Sequence, residues 1–161
     1  MNRKVLVLVF LSLLLGVVGF YYQRYKLAPT IELPAIELTD LNGQSVPMAM
    51  YSGKPLFISF FATWCGPCRR ELPELAVMHR LLSLNIIAVS DEPIEKLKEI
   101  QPQLGLDVVI LHSIKPLHDI GIYTFPTNYI FNREGKRVYA QTKPEDWTDA
   151  TVVEQVRKIM Q

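Results

Sequence analysis

Only two cysteines and three histidines occur in this chain of 161 residues, and each shortage narrows the chemistry open to it. A structural zinc site usually takes four ligands, but there is no second cysteine pair, and His79, His112 and His118 lack ligand spacing. Covalent haem attachment needs C-x-x-C-H, and the residue after Cys68 is Arg69. No cysteine lies outside the Cys65/Cys68 pair to serve as a separate peroxidatic residue. Excess positive charge is missing too. Four of the 17 Lys and Arg (Arg3, Lys4, Arg24 and Lys26) flank an apolar N-terminus, which leaves 13 against all 16 Asp and Glu in the remainder. A mildly acidic remainder offers no electrostatic footprint for nucleic acid. Internal repeats and low-complexity tracts are absent as well.

The length supports one domain with a single sizeable core. The 49% hydrophobic content is inflated by the N-terminus, where residues 5–22 carry no charged side chain. As a helix they would span about 27 Å at 1.5 Å per residue, close to a hydrocarbon core of roughly 30 Å. A cleaved signal peptide would have a shorter apolar stretch and a small-x-small cleavage site, and no A-x-A pattern precedes Pro29. Tyr21, Tyr22 and Tyr25 suit an interfacial belt. Residues 1–26 are therefore expected to be an uncleaved single-pass anchor, with an uncleaved or cleaved signal as the rival. Two basic residues on each side leave the positive-inside count near a tie.

Residues 27–34 carry two prolines and read as an extended spacer that lifts the domain off the bilayer. Residues 35–161 read as the domain. Within it, 35–39 and 44–48 flank Leu41-Asn42-Gly43 as an expected β-hairpin. The run LFISFF at 56–61 has the pattern of a strand buried on both faces. From Pro67 to about Leu82, apolar Leu72, Leu75, Ala76, Met78 and Leu82 recur at spacings of three and four, on one helix face. The alternation continues with a strand at 85–90, a helix at 93–100 opened by Asp91 and Glu92, and a strand at 107–111. A helical turn is expected at 117–122, strands at 128–131 and 137–140 around a turn at 133–136, and a last helix from about Thr148. Thr151 and Glu154 stand there at capping-box spacing. Strands alternating with helices imply an α/β fold with a central, partly parallel sheet covered by helices.

The two cysteines stand as Trp64-Cys65-Gly66-Pro67-Cys68 at the junction of the apolar strand and the helix. A thiol at a helix N-terminus meets unsatisfied backbone N–H groups and the positive end of the macrodipole, which lowers its pKa and favours the reactive thiolate. Two intervening residues let the sulfurs face each other across the first turn, so a mixed disulfide on one can be resolved by the other. Pro67 fits the first turn, where its missing N–H costs nothing. As a purely structural staple, so short a loop would restrict the unfolded chain little. Redox chemistry is the reading these residues favour.

WCGPC after an apolar strand resembles the active site of thioredoxin, and Pro73 sits where thioredoxin-like proteins carry a helix-kinking proline. The stretch Gly121-Ile122-Tyr123-Thr124-Phe125-Pro126-Thr127 is similar to the family's cis-proline segment, which lies against the dithiol. The resemblance spans about residues 35–161. With the anchor and hairpin, it points to the membrane-tethered TlpA/ResA-type branch, which includes the cytochrome c maturation thioredoxins. It implies a thioredoxin-like fold, a mixed sheet flanked by helices, and thiol:disulfide exchange through Cys65 and Cys68 with Gly66 and Pro67 as the active-site loop.

The same resemblance implies a cis peptide before Pro126, a bond that is cis in only about 5–6% of X-Pro cases otherwise. It places Phe125 and Pro126 in the substrate groove. Apart from the resemblance, Trp64 is expected to pack beside the dithiol and is a candidate for the docking surface. Trp64 beside a buried strand would otherwise read as core. Six residues before its first active-site cysteine, thioredoxin has a buried Asp that assists proton transfer; here Ser59 stands there and cannot be a base near neutral pH. Glu71 matches the acidic residue that the branch carries three residues after the second cysteine. Its plainer role would be to favour the macrodipole of a helix first turn. Arg69 and Arg70 fit a solvated helix face.

These readings lead to an extracytoplasmic oxidoreductase that needs no cofactor beyond its Cys65–Cys68 disulfide and no metal. Its expected place is the cytoplasmic membrane, with the domain facing the periplasm. Expected partners are disulfide-bearing extracytoplasmic proteins such as apocytochrome c, and a membrane electron donor. Two alternatives stay open. One is a net oxidant of folding proteins, and the other is a Cu(I) metallochaperone using the two soft thiolates, although such modules usually space their cysteines further apart and add a His.

Overall fold

The computed structural model describes residues 3–26, 28–31, 36–104 and 108–160. A first helix, α1 (Arg3–Lys26), is exposed along its described length, and Arg3–Tyr21 is long and apolar enough to cross a membrane. The rest is built on strands β1 (Leu38–Thr39), β2 (Leu56–Phe60), β3 (Asn85–Ser90), β4 (Val109–Ser113), β5 (Thr127–Phe131) and β6 (Arg137–Gln141). Helices α2 (Gly66–Leu82), α3 (Ile94–Ile100) and α4 (Ala150–Ile159) complete it.

The six strands form one mixed sheet in the order β1-β4-β3-β2-β5-β6. Strand β2 is central, parallel to β3 and antiparallel to β5. All five of its residues are buried, as the continuous apolar run requires, and alternation divides them between two cores. Phe57 joins Leu72, Leu75, Met78 and fully buried Trp147 on the α2 face, while Leu56, Ile58 and Phe60 join Val89, Leu111 and Tyr129 on the other. Trp147 meets Phe57 edge-on at 4.9 Å and Tyr139 at 5.9 Å.

Several expectations need correction. The hairpin at 35–48 is a tight turn closed by one bridge, Thr39 to Ser45, and β1 pairs with β4 instead. Asp40 explains the tightness, because its Oδ1 accepts the backbone N–H groups of Asn42 and Gln44 at 2.8 Å each. The second arm runs into a 3-10 turn, Met48–Tyr51. The cap of α4 is Asp149, whose carboxylate accepts the Thr151 and Val152 N–H groups, and not Thr151. Asp91 and Glu92 precede α3 but make no cap; the N-cap position is Pro93, and both carboxylates reach elsewhere. The strand expected at 107–111 is Val109–Ser113, and Asp107, like Ala35, lies outside the described residues.

Of the expected spacer, Ala28–Ile31 lies against the domain, with Ile31 buried. The Pro29 carbonyl accepts from Tyr129 Oη at 2.8 Å and Arg137 Nη1 at 3.1 Å. Leu27 and residues 32–34 lie outside the described residues. Gly121, at φ 83°, makes room for this contact, since a Cβ there would lie 3.1 Å from Pro29 Cβ. Gly121→Ala is therefore expected to destabilise the domain by about 1–2 kcal/mol, the cost of a Cβ in the left-handed region. Urea unfolding checks it, and a Pro29→Gly background should recover the part of the loss that comes from the contact.

Candidate active site

The C-terminal end of β2 delivers the chain into Ala62-Thr63-Trp64 and then into α2, so the dithiol sits on the first turn of that helix. Cys65 is the N-cap residue and Pro67 occupies the first turn, as its missing N–H allows. Cys65 and Cys68 form a disulfide with Cα atoms 5.3 Å apart. Cys65 Sγ accepts the Cys68 backbone N–H at 3.2 Å, so a helix-terminal donor is aimed at the first sulfur. Cys65 retains 4% exposure and Cys68 none, which orders the two sulfurs by access.

Around the dithiol the predicted residues come together. The Phe125–Pro126 peptide is cis, and Pro126 is buried. Trp64 is 73% exposed and so is not core, and its ring meets partly buried Phe125 edge-on at 5.9 Å. Gly66 is exposed and Pro67 half-buried at the same rim, while Arg69 and Arg70 are solvated. Pro73 lies inside α2, where it has no N–H to give the Arg69 carbonyl.

Glu71 is one turn along α2 from Cys68 and is buried to 2% exposure, more than a macrodipole role requires. Its Oε2 accepts Asn128 Nδ2 at 3.3 Å and its Oε1 accepts the Glu145 backbone N–H. Burial pushes the Glu71 carboxyl above the usual carboxylate range; the bonds from Glu145 and Asn128 oppose this, and Glu74 one turn on adds to it. The Trp147 indole nitrogen makes no hydrogen bond, yet lies near enough to the Glu71 carboxyl to oppose the rise as well. The Glu74 carboxylate accepts the Trp147 backbone N–H at 3.2 Å, so two α2 carboxylates hold the strap 145–147. Tyr139 beside it has its phenol pushed up to about 12, by burial first and then by Glu145 and Glu71.

Ser59 and Asn128 face each other across β2 and β5, and Ser59 Oγ and Asn128 Oδ1 are buried without hydrogen-bond partners. Sequence reading found Ser59 but missed Asn128 and the Glu145 N–H, which no spacing links to Cys65. It also missed that Glu92 accepts from both the backbone N–H and the hydroxyl of Thr63. Elsewhere, His79 Nδ1 is bonded to the Leu84 carbonyl at 2.6 Å, a satisfied polar contact. Among the described residues no group of three or more His, Cys, Asp or Glu side chains could hold a metal ion.

Comparison with known proteins decides the family, because the AhpC/TSA family model matches residues 28–140. The chain belongs to the AhpC/TSA family. It is 31% identical over 170 residues to the thiol-disulfide oxidoreductase ResA of Bacillus thuringiensis subsp. konkukian, covering 98% of this chain and 97% of that protein. It is also 31% identical over 147 residues to ResA of Geobacillus thermodenitrificans, covering 84% of each. A solved chain from Chlorobium tepidum, thiol:disulfide interchange protein DsbE, shares the fold with a TM-score of 0.65 at 19% identity, over 84% of this chain and 98% of that one. This AhpC/TSA member is thus a thioredoxin-like thiol-disulfide oxidoreductase of the ResA/DsbE type, with Cys65 and Cys68 as its Cys-x-x-Cys pair.

Proposed function

We propose that the protein is a membrane-tethered, extracytoplasmic reductant of disulfides in partner proteins, apocytochrome c among them. The observation that carries the reading is the Cys65-Gly66-Pro67-Cys68 dithiol at the start of α2, where a backbone N–H is aimed at the first sulfur. The Cys65 thiolate attacks one sulfur of the substrate disulfide. A Cys65–substrate mixed disulfide forms and the other substrate sulfur leaves as a thiol. Cys68 then attacks Cys65, closing the intramolecular disulfide and releasing the second substrate thiol. Two electrons pass from the dithiol to the substrate.

Direction rests on the Gly-Pro dipeptide. It is thioredoxin's, whose potential of about −270 mV is far more reducing than that of DsbA at about −120 mV. Burial supports a further role for Glu71: a carboxyl that holds its proton above the usual range can give it to, and take it from, Cys68 one turn away. Exposed Trp64 beside Phe125 and Pro126 forms the rim on which a substrate chain docks.

Regenerating the dithiol outside the cytoplasm requires an electron source. Among the described residues there is one apolar span, and the sequence holds no cysteine beyond the pair, which supports a separate membrane protein as the electron donor. The span anchors it in the cytoplasmic membrane, with the domain on the periplasmic side. The test is the redox potential in dithiothreitol buffers, together with acid-trapped alkylation of the cellular protein and protease treatment of spheroplasts. A potential near thioredoxin's, reduced cysteines in cells and a protease-sensitive domain are expected. A potential near DsbA's with oxidised cysteines would leave the oxidant alternative standing, and a protected domain would refute the topology.

A further inference from the structure

Consecutive carboxylates at the end of β3 tie down two loops that meet at the dithiol. Glu92 accepts the Thr63 backbone N–H through Oε2 and the Thr63 hydroxyl through Oε1, the latter at 2.9 Å. Its side chain is only 13% exposed, and Lys96 pairs with it at 3.9 Å. Thr63 directly precedes Trp64 and Cys65. On the other side, Asp91 Oδ2 accepts the Leu117 backbone N–H at 2.8 Å. Leu117 is buried, opens the 3-10 turn Leu117–Ile120, and its carbonyl accepts the Ile122 N–H at 3.0 Å. That turn leads within a few residues to Phe125 and Pro126.

Both bonds are charge-assisted, a class worth more than neutral ones. Neither carboxylate caps α3, so the acids that open a helix in sequence serve the site in space. We propose that Asp91 and Glu92 are positioning residues that hold the two rim loops, one carrying Trp64 and the other Phe125, at a fixed separation for a substrate chain. The proposal rests on the docking role of that rim. It separates partner engagement from thiol chemistry, because the N–H that Cys65 Sγ accepts belongs to Cys68 in α2, and no group held by either carboxylate donates to it.

The test uses the full chain in detergent, with Glu92→Ala, Asp91→Ala and the milder Glu92→Gln, whose amide oxygen still accepts from one Thr63 donor. Two probes are compared: a synthetic peptide with a C-x-x-C-H disulfide, and 5,5′-dithiobis(2-nitrobenzoate), too small to need the rim. Expected for Glu92→Ala is a rise in KM for the peptide of about tenfold, equivalent to about 1.4 kcal/mol. Peptide kcat, the rate with the small disulfide and the redox potential should stay within about twofold of native values. Glu92→Gln should fall between. The 5-fluorotryptophan NMR signal of exposed Trp64, distinct from that of buried Trp147, should shift in all three variants. Equal losses on both probes, or a changed potential, would mean the pair acts on the dithiol and would overturn the proposal. So would an unchanged KM with an unshifted Trp64 signal. If the native protein reduces the small disulfide but not the peptide, the reductase reading fails while the Trp64 signal still decides the brace: shifted supports it, unshifted overturns it.

Discussion

Cys68→Ser should capture partner proteins as stable mixed disulfides through Cys65, and its turnover should fall by about three orders of magnitude or more. The donor that steadies Cys65 Sγ is the backbone N–H of residue 68, at 3.2 Å, and a serine keeps it. Cys65 therefore remains a competent nucleophile at the helix N-terminus. What is lost is the second sulfur, fully buried one turn inward, that would displace the partner. Cys65→Ser should be equally inactive but should capture nothing, because no incoming disulfide reaches Cys68. Non-reducing gels after alkylation, followed by peptide mapping, distinguish the two. Adducts on Cys65→Ser and none on Cys68→Ser would reverse the assignment of attacking and resolving thiols.

How far the sequence carried the reading depends on the kind of signal. Strand β3 falls on the residues expected, and β2 and α2 lie within a residue of them, because a doubly buried run and a one-faced helix are written in local periodicity. The dithiol was legible for the same reason: its two residues and their helix lie in one short stretch. Asp91 and Glu92 were read as helix-opening acids because that is the local rule, yet their partners Leu117 and Thr63 are 26 and 29 residues away. The Asn-Gly turn was legible, but the partner of β1 was not, since pairing with β4 is decided by the far edge of the sheet. Trp64 was ambiguous in sequence, and only its exposure beside Phe125 removes it from the core.

Glu71 joins both kinds of signal. Its spacing from Cys68 is local, but its burial comes from Asn128 on β5 and from the strap at Glu145. Because burial raises its folded-state pKa above the ordinary carboxylate value, the folded protein binds a proton there that the unfolded chain has released. Stability is then fully present below the ordinary carboxylate range and declines as pH rises through the raised pKa, by about 1.4 kcal/mol for each pH unit separating the folded and unfolded values. Glu71→Gln removes that penalty. Its amide oxygen can accept the Glu145 N–H, and its NH2 group can donate to Asn128 Oδ1 once the Asn128 amide, which presents Nδ2 to Glu71 in the native protein, turns over. The variant should therefore match the native protein in stability at low pH and exceed it increasingly toward neutral pH, as read by urea unfolding across the range. Activity should move the other way. Without a titratable group one turn from Cys68, disulfide reduction at neutral pH should fall by about 10²-fold, the scale of a general acid–base contribution. The pH–rate profile should also lose the limb set by the raised carboxyl, which packing alone would not remove. A Glu71→Gln variant that keeps the native pH–rate profile while gaining stability would show that Glu71 is a buried structural acid, and that the proton of Cys68 is handled elsewhere.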